Sequence, residues 1–313
     1  MIGTPSVLVT GGTGFIGSHL VEDLVSKGYD VTVLDNFSNR QPHLPGTRVK
    51  LVKGDIRDLK TVTDATKGAS IVYHLAAVLG VEYAYQHPVE VLDVEIMGTL
   101  NVLEASRKNN VKIVVYGSSS EVYGEPASLP ISEDAPTTPR STYAVAKLTG
   151  ERYCDAYRRA YGLDCVVLRY FNVYGPRQDD RFVIPRFIRA ALNRVQLEVY
   201  GPGDQCRDFT FIKDAVQVSV TASQTERAKS QIFNVGTGVK TKVHDVAKLI
   251  VELTGSNSSI VSKGSDTLPR PLEAEIFNRV ADISRSRKLL GYEPQVSLRD
   301  GIASTIGWTR IRS

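Results

Sequence analysis

One short stretch restricts this chain more than any average property does: VLVTGGTGFIGSHL at 7–20. An apolar, β-branched run passes at once into a glycine-rich turn, and the turn into a second apolar run of helical spacing. Gly11, Gly14 and Gly17 stand directly after the strand and at the start of the helix. Glycines there permit a tight turn and let the backbone come close to a pyrophosphate. The helix N-terminus adds unpaired N–H groups and the positive end of its dipole. A glycine pattern alone marks only a turn, but flanked by strand and helix it predicts a dinucleotide site.

The rest of the chain repeats that alternation. SVLVT (6–10), VTVL (31–34), VKLV (49–52), IVYHL (71–75), KIVVYG (112–117), DCVVLRYF (164–171) and QIFNVG (231–236) read as strands. Most are continuous apolar runs, as strands buried on both faces must be. Helices fit between them, at 15–27, 98–109 and 142–161. Strand–helix alternation predicts an α/β fold with a doubly wound parallel sheet. The alternation loosens after NVYGPR at 172–177, so residues 1–175 are expected to form the dinucleotide domain. A smaller, partly interleaved α/β substrate region is expected over 176–313, with the strand at 231–236 returning to the main sheet.

Several classes of function are disfavoured. With 313 residues, 42% of them hydrophobic and 23% charged, the chain is expected to bury a core. No apolar run approaches the ~18 residues of a membrane span, and MIGTPSVLVTGG lacks the features of a signal peptide. A net charge of +4 without a dense Lys/Arg run suits a small anionic ligand better than nucleic acid. Cys154, Cys165 and Cys206 have no CxxC spacing, and the five histidines form no HxxxH pair, so no metal is expected. These features lead us to expect a soluble, cytoplasmic protein that does not bind membranes.

Asp35 ends the second strand, where a carboxylate accepts hydrogen bonds from the adenosine ribose and repels a 2′-phosphate. NAD is therefore expected over NADP, although Arg40 nearby keeps NADP open. Asp55 in GDIRD is placed to meet the adenine, and HLAA (74–77) ends the fourth strand with small residues beside which a flat cofactor can pass. Tyr143 and Lys147 in YAVAK share one helix face. A tyrosine with a pKa of about 10 is a poor base, but an adjacent ammonium and a bound cationic nicotinamide favour the phenolate. With 14 tyrosines in the chain, about one YxxxK arises by chance. The weight comes from GSSSE at 117–121: carboxyl ends of parallel strands are where such folds bind ligands, and a serine there can hold the oxygen that Tyr143 deprotonates.

Together TGGTGFIG, DNFS, GDIRD, HLAA, SSSEVYG, YAVAK, LRYFNVYGPRQ, RDFTFIKD, NVGTG and ADISRSRKLLGYEP make the chain resemble an extended short-chain dehydrogenase/reductase of the NAD-dependent nucleotide-sugar epimerase/dehydratase family. The resemblance implies a Rossmann-type fold and a catalytic set of Ser119, Tyr143 and Lys147, with Glu121 beside it. It implies NAD contacts from Gly11, Gly14, Gly17, Asp35, Asp55, Tyr143 and Lys147. Phe15, Ile16, Asn36, Ile56, Leu75, Ala76, Ala77 and Tyr170 are expected to complete them. Ser119, Ser120, Asn172, Val183, Ile184, Tyr200, Arg207 and Arg270 are expected on the nucleotide-sugar side, with the substrate UDP-linked. The family often carries an R-x-G-E/D segment before the xDIS motif. Here RPLEAEIFNRVADIS lacks the glycine, which leaves open whether Arg270 or Arg279 meets the phosphate.

Such relatives oxidise the sugar at C4 and then epimerise, dehydrate or decarboxylate it. Glu121 matters for that choice, since dehydratases use a glutamate there as the C5 base and decarboxylases carry a Ser-Glu pair. The LRYFNVYGPRQ and VIPRFI segments look most like 4-epimerases of hexoses, hexosamines or uronic acids, so epimerisation is the expectation. Dehydration and decarboxylation remain the alternatives. A non-catalytic NAD sensor has no need of Ser119, Tyr143 and Lys147 together. Relatives also pair through a four-helix contact, so a homodimer built on helices 98–109 and 142–161 is expected.

Overall fold

The computed structural model describes residues 5–38, 44, 48–78, 80–201, 203–264 and 275–312. Arg40 and Arg270 therefore lie outside the described residues. Seven strands form one parallel sheet: β1 (Ser6–Thr10), β2 (Asp30–Asp35), β3 (Val49–Lys53), β4 (Ile71–His74), β5 (Ile113–Ser119), β6 (Asp164–Tyr170) and β7 (Ile232–Val235). Their order is β7-β6-β5-β4-β1-β2-β3. The expected doubly wound sheet is thus present, and β7 pairs with β6.

Alternate residues of each strand feed two separate cores. Val7, Val9, Val31, Val33, Val115 and Leu168 face one, against the helices Phe15–Ser26 and Ile212–Gln224. Leu8, Leu34, Val72, Val114, Tyr116 and Val167 face the other, under the helices Leu59–Thr66, Gly98–Lys108 and Thr142–Tyr161. Burial on both faces is why these strands read as unbroken apolar runs. Strand order reverses between β1 and β4, and that switch point opens a crevice at the carboxyl ends of the strands.

The helix that carries Tyr143 is fixed at both ends and along its length. Ser141 Oγ accepts the Ala144 N–H at 3.1 Å, and Gly162 closes the helix in the left-handed region at φ 70°. At Gly150 a Cβ would stand 2.2 Å from the Tyr116 hydroxyl, so the helix lies directly on β5. A buried ion pair pins the same helix to β6. Arg169 Nη2 lies 2.6 Å from Glu151 Oε2, and Arg169 Nε donates to Glu151 Oε1 at 2.9 Å. Ser118 Oγ also donates to Glu151, at 2.6 Å, so little hydrogen-bonding capacity is wasted in this desolvated site.

Beyond β6 the chain builds smaller sheets. Leu197–Tyr200 pairs in parallel with Ile260–Lys263. Cys206–Arg207 lies between Thr241–Lys242 and Asn278–Arg279. The helices Val183–Leu192, Val243–Thr254 and Leu298–Arg312 pack on one another around them. No helix among the described residues is long and apolar enough to cross a membrane.

Candidate active site

A cavity of ≈ 430 Å³ lies at the switch point. At one end is the glycine turn. Gly11 has φ 70°, and a Cβ on it would stand 2.6 Å from the Ala76 backbone nitrogen. A Cβ on Gly17 would stand 2.1 Å from the Gly11 carbonyl oxygen. Turn and helix therefore touch backbone to backbone, and the helix N-terminus is open to the cavity. Asp35 is aimed there by two amides: Oδ2 accepts the Thr13 N–H at 3.0 Å and Oδ1 the Phe37 N–H at 2.9 Å. Asp55 is gripped by Arg57, whose Nη2 lies 2.8 Å from its Oδ2; that hydrogen bond holds the carboxyl below the usual range. Arg57 also reaches Asp93 at 2.8 Å.

At the other end are the reacting groups. β5 continues past the expected end at 117 to Ser119, so Ser118 and Ser119 are strand residues paired with Arg169 and Tyr170. Ser119 Oγ accepts the Glu121 N–H at 3.2 Å as the chain turns into Ser120–Tyr123. Tyr143 lines the cavity beside Ser119, within hydrogen-bonding reach of its hydroxyl, with Lys147 Nζ 5.7 Å from its ring centre. Burial raises the phenol pKa, and the lowering by Lys147 and the Ser119 hydroxyl does not overcome that. Burial also acts to lower Lys147, but the charges of Glu95 and Tyr143 outweigh it and the ammonium is retained.

Every residue expected to contact NAD lines this one cavity, from Gly11 and Phe15 through Asp55 and Leu75 to Tyr143, Lys147 and Tyr170; Ser119 lines it too. The fit to a dinucleotide rests on the glycine cradle, on the Asp35 carboxylate and on the length of the cavity between them and Tyr143. Ser120, Glu121, Asn172, Val183, Ile184, Tyr200 and Arg207 stand outside its lining. Ser120 is 2% exposed at the start of the turn after β5. Asn172 has a buried side-chain oxygen, Oδ1, with no hydrogen-bond partner among the described residues. Val183 and Ile184 begin the helix Val183–Leu192, and Tyr200 stacks under Arg186 at 4.8 Å. Arg207 is held by Glu275, at 2.7 Å, and by the carbonyls of Cys206 and Phe277. Glu121 is clamped by Arg279, Nη1 to Oε1 at 2.5 Å.

Sequence reasoning missed Thr13, Arg57, Tyr83, Asp179, Arg181 and Phe182, which also line the cavity. Arg57 was within reach, since it sits inside the GDIRD motif already singled out; Tyr83 and Arg181 carry no local signal. Among the described residues no group of three or more His, Cys, Asp or Glu is arranged to hold a metal ion.

His74, at the end of β4, shares hydrogen bonds with Thr10 Oγ1 at 2.8 Å and Thr99 Oγ1 at 3.0 Å. Burial, and then the charge of Lys147, lower its pKa to about 3. Unfolded, it would titrate near 6.5. The unfolded chain thus binds the proton first, so this contribution to stability is complete above about pH 6.5 and is lost as pH falls towards 3. Between pH 6.5 and 4.5 it is expected to fall by about 2–3 kcal/mol. Urea unfolding across that range checks this, since His74→Gln should show a smaller loss than the wild type.

Residues 7–236 match the model of the NAD dependent epimerase/dehydratase family. The UDP-N-acetyl-alpha-D-glucosaminuronate decarboxylase of Bacillus cytotoxicus is 38% identical over 317 residues, covering 97% of each chain. The UDP-glucose 4-epimerase of Mycolicibacterium smegmatis is 36% identical over 316 residues, covering 98% of this chain and 99% of its own. In three dimensions the chain is similar to the Thermotoga maritima UDP-glucose 4-epimerase solved with UDP-glucose. The TM-score is 0.92 at 33% identity, covering 98% of this chain and 99% of that one.

Proposed function

Because the chain belongs to the NAD-dependent epimerase/dehydratase family, we propose that it is a nucleotide-sugar 4-epimerase acting on a UDP-linked hexose, hexosamine or uronic acid. The observation that carries this reading is Ser119, Tyr143 and Lys147 on one wall of a cavity whose other end is the glycine cradle. Bound NAD supplies the hydride acceptor at C4 and afterwards the donor. Tyr143 removes the proton from the sugar O4 and returns it, and Ser119 holds that oxygen in line. Lys147 keeps a positive charge beside the phenol and opposes the effect of burial. Gly11, Gly14 and Gly17 would hold the pyrophosphate, Asp35 the ribose and Asp55 the adenine. In this reading residues 1–175 hold NAD, and Asn172, Val183, Ile184, Tyr200 and Arg207 serve the nucleotide-sugar side within 176–313.

Glu121 favours epimerisation over dehydration. A carboxylate engaged by Arg279 is not free to take a proton from C5. A second reading, decarboxylation of a UDP-uronic acid, is favoured by the same contact. Arg279 brings a guanidinium, the group suited to a C6 carboxylate, to Glu121, two positions after Ser119, and a decarboxylase stands among the relatives. Incubation with UDP-glucose, UDP-N-acetylglucosamine and UDP-glucuronate, read by mass spectrometry and proton NMR, separates the outcomes. Unchanged mass with inverted C4 supports epimerisation, and loss of carbon dioxide or water replaces it. Glu121→Gln is expected to slow epimerisation by well under the ~10²–10⁴-fold of a lost general base. In heavy water the epimerised product should carry no deuterium at C5; dehydrated product with deuterium at C5, formed by the wild type and lost in Glu121→Gln, would make Glu121 the C5 base.

The proposal includes a cytoplasmic homodimer. Exposed Val89, Met97 and Val145 lie on the helix Pro88–Leu92, the turn Asp93–Met97 and the helix Thr142–Tyr161. The three cysteines, all free and buried, agree with a reducing compartment.

A further inference from the structure

Glu95 belongs to none of the motifs that define the site, yet it touches the middle of it. It sits in a π-helical turn, Asp93–Met97, between the helices Pro88–Leu92 and Gly98–Lys108, and is 1% exposed. Its Oε2 lies 3.0 Å from Lys147 Nζ, and the lysine side chain is 4% exposed. Its Oε1 accepts the Val78 N–H at 3.0 Å, from the loop that follows β4 and lines the cavity beside Ala76 and Ala77. A π turn inserts one residue into a helix and redirects a side chain, and such turns gather at functional sites. A carboxylate this buried is tolerated only when it is paired and hydrogen-bonded, as both of its oxygens are here.

We propose that Glu95 is a positioning residue of the reaction. It fixes the Lys147 ammonium and the cofactor-side loop in one register and shares the lysine's charge with Tyr143. The acid/base phenol is then set by three residues instead of two. The inference rests on the acid/base assignment of Tyr143 and Lys147 above.

The surroundings leave few other charges to do this. From β5, Tyr116 places its ring 5.4 Å from Lys147 Nζ. From β4, His74 is neutral near pH 7. Glu121, after β5, is paired with Arg279, and Asp93, in the same turn as Glu95, is paired with Arg57. Glu151, one turn further along the Tyr143 helix, is paired with Arg169. After burial and Lys147, Glu95 is the largest influence on the Tyr143 phenol, and it raises the pKa.

The test is the titration of that phenol, read as the tyrosinate absorbance of the NAD-loaded protein minus that of the Tyr143→Phe protein. Glu95→Gln keeps the size and an oxygen for the Val78 N–H but removes the charge. Its Tyr143 midpoint is expected to fall by about half a pH unit or more. Glu95→Asp keeps the charge and should stay nearer the wild type. If the glutamine is not accommodated, Glu95→Asn is expected to give the same fall. An unchanged midpoint in the neutral variant, or an equal fall in Glu95→Asp, would overturn the proposal. Neither result depends on which sugar reacts. Failure to convert any nucleotide sugar would sink the epimerase reading and leave the titration standing. Normal epimerisation with an unchanged midpoint would sink only the role of Glu95.

Discussion

Tyr143→Phe is expected to reduce turnover by ~10²–10⁴-fold while the protein keeps its NAD, because general acid/base catalysis is typically worth that much. The substitution removes one oxygen and leaves the ring on the cavity wall, where Lys147 Nζ lies 5.7 Å from its centre. Cofactor retention separates lost chemistry from a lost fold. It is measured as adenine absorbance released from the purified variant by acid. The pH profile adds a sign. Since burial raises the phenol pKa, the wild-type rate should climb with pH as the phenolate fraction grows. A near-wild-type rate for Tyr143→Phe would remove the tyrosine from the mechanism.

Gly17→Ala is expected to weaken the hold on the cofactor. Its Cβ would stand 2.1 Å from the Gly11 carbonyl oxygen and 2.8 Å from the Gly12 Cα, so the backbone has to yield. Overpacking of this kind costs about 1–3 kcal/mol. If the helix start moves away from the turn, that energy is drawn from the phosphate cradle and weakens NAD binding by about ten- to a hundredfold. Calorimetric titration with NAD measures it. Gly307→Ala is the control. It lies in the helix Leu298–Arg312 with open space around its Cβ position, and NAD affinity should not change. Unchanged affinity in Gly17→Ala would mean that the turn can widen without disturbing the cradle.

The main sheet was legible because its central strands are buried on both faces and carry unbroken apolar runs, VLV in β1, IVVY in β5 and CVVL in β6. Even β3, an edge strand reading VKLVK with three of its five residues exposed, kept enough β-branched character to be found. The NAD side was legible because its residues are carried by short local motifs, each beside a strand end. What escaped depends on contacts between distant segments. Glu121 meets Arg279 across 158 positions, and Arg207 meets Glu275 across 68. No periodicity announces such pairs. The stretch before Gly98 escaped for another reason: it is two short helices and a π turn, so its apolar residues drift off any single period. Sequence shows the charge beside the phenol but not how much protein surrounds it, and here burial outweighs the lowering by Lys147.

The place of β7 in the sheet bears on how this chain comes off a ribosome. β6 is finished at Tyr170, but its outer neighbour is not made until Ile232–Val235. During that interval the nascent sheet has an open flank of unpaired N–H and C=O groups, a template for pairing with another chain. Growth at about 5–20 residues per second makes this a window of some seconds. Nascent chains stalled between Tyr170 and Ile232 should therefore be the ones most readily captured by chaperones or lost to aggregation.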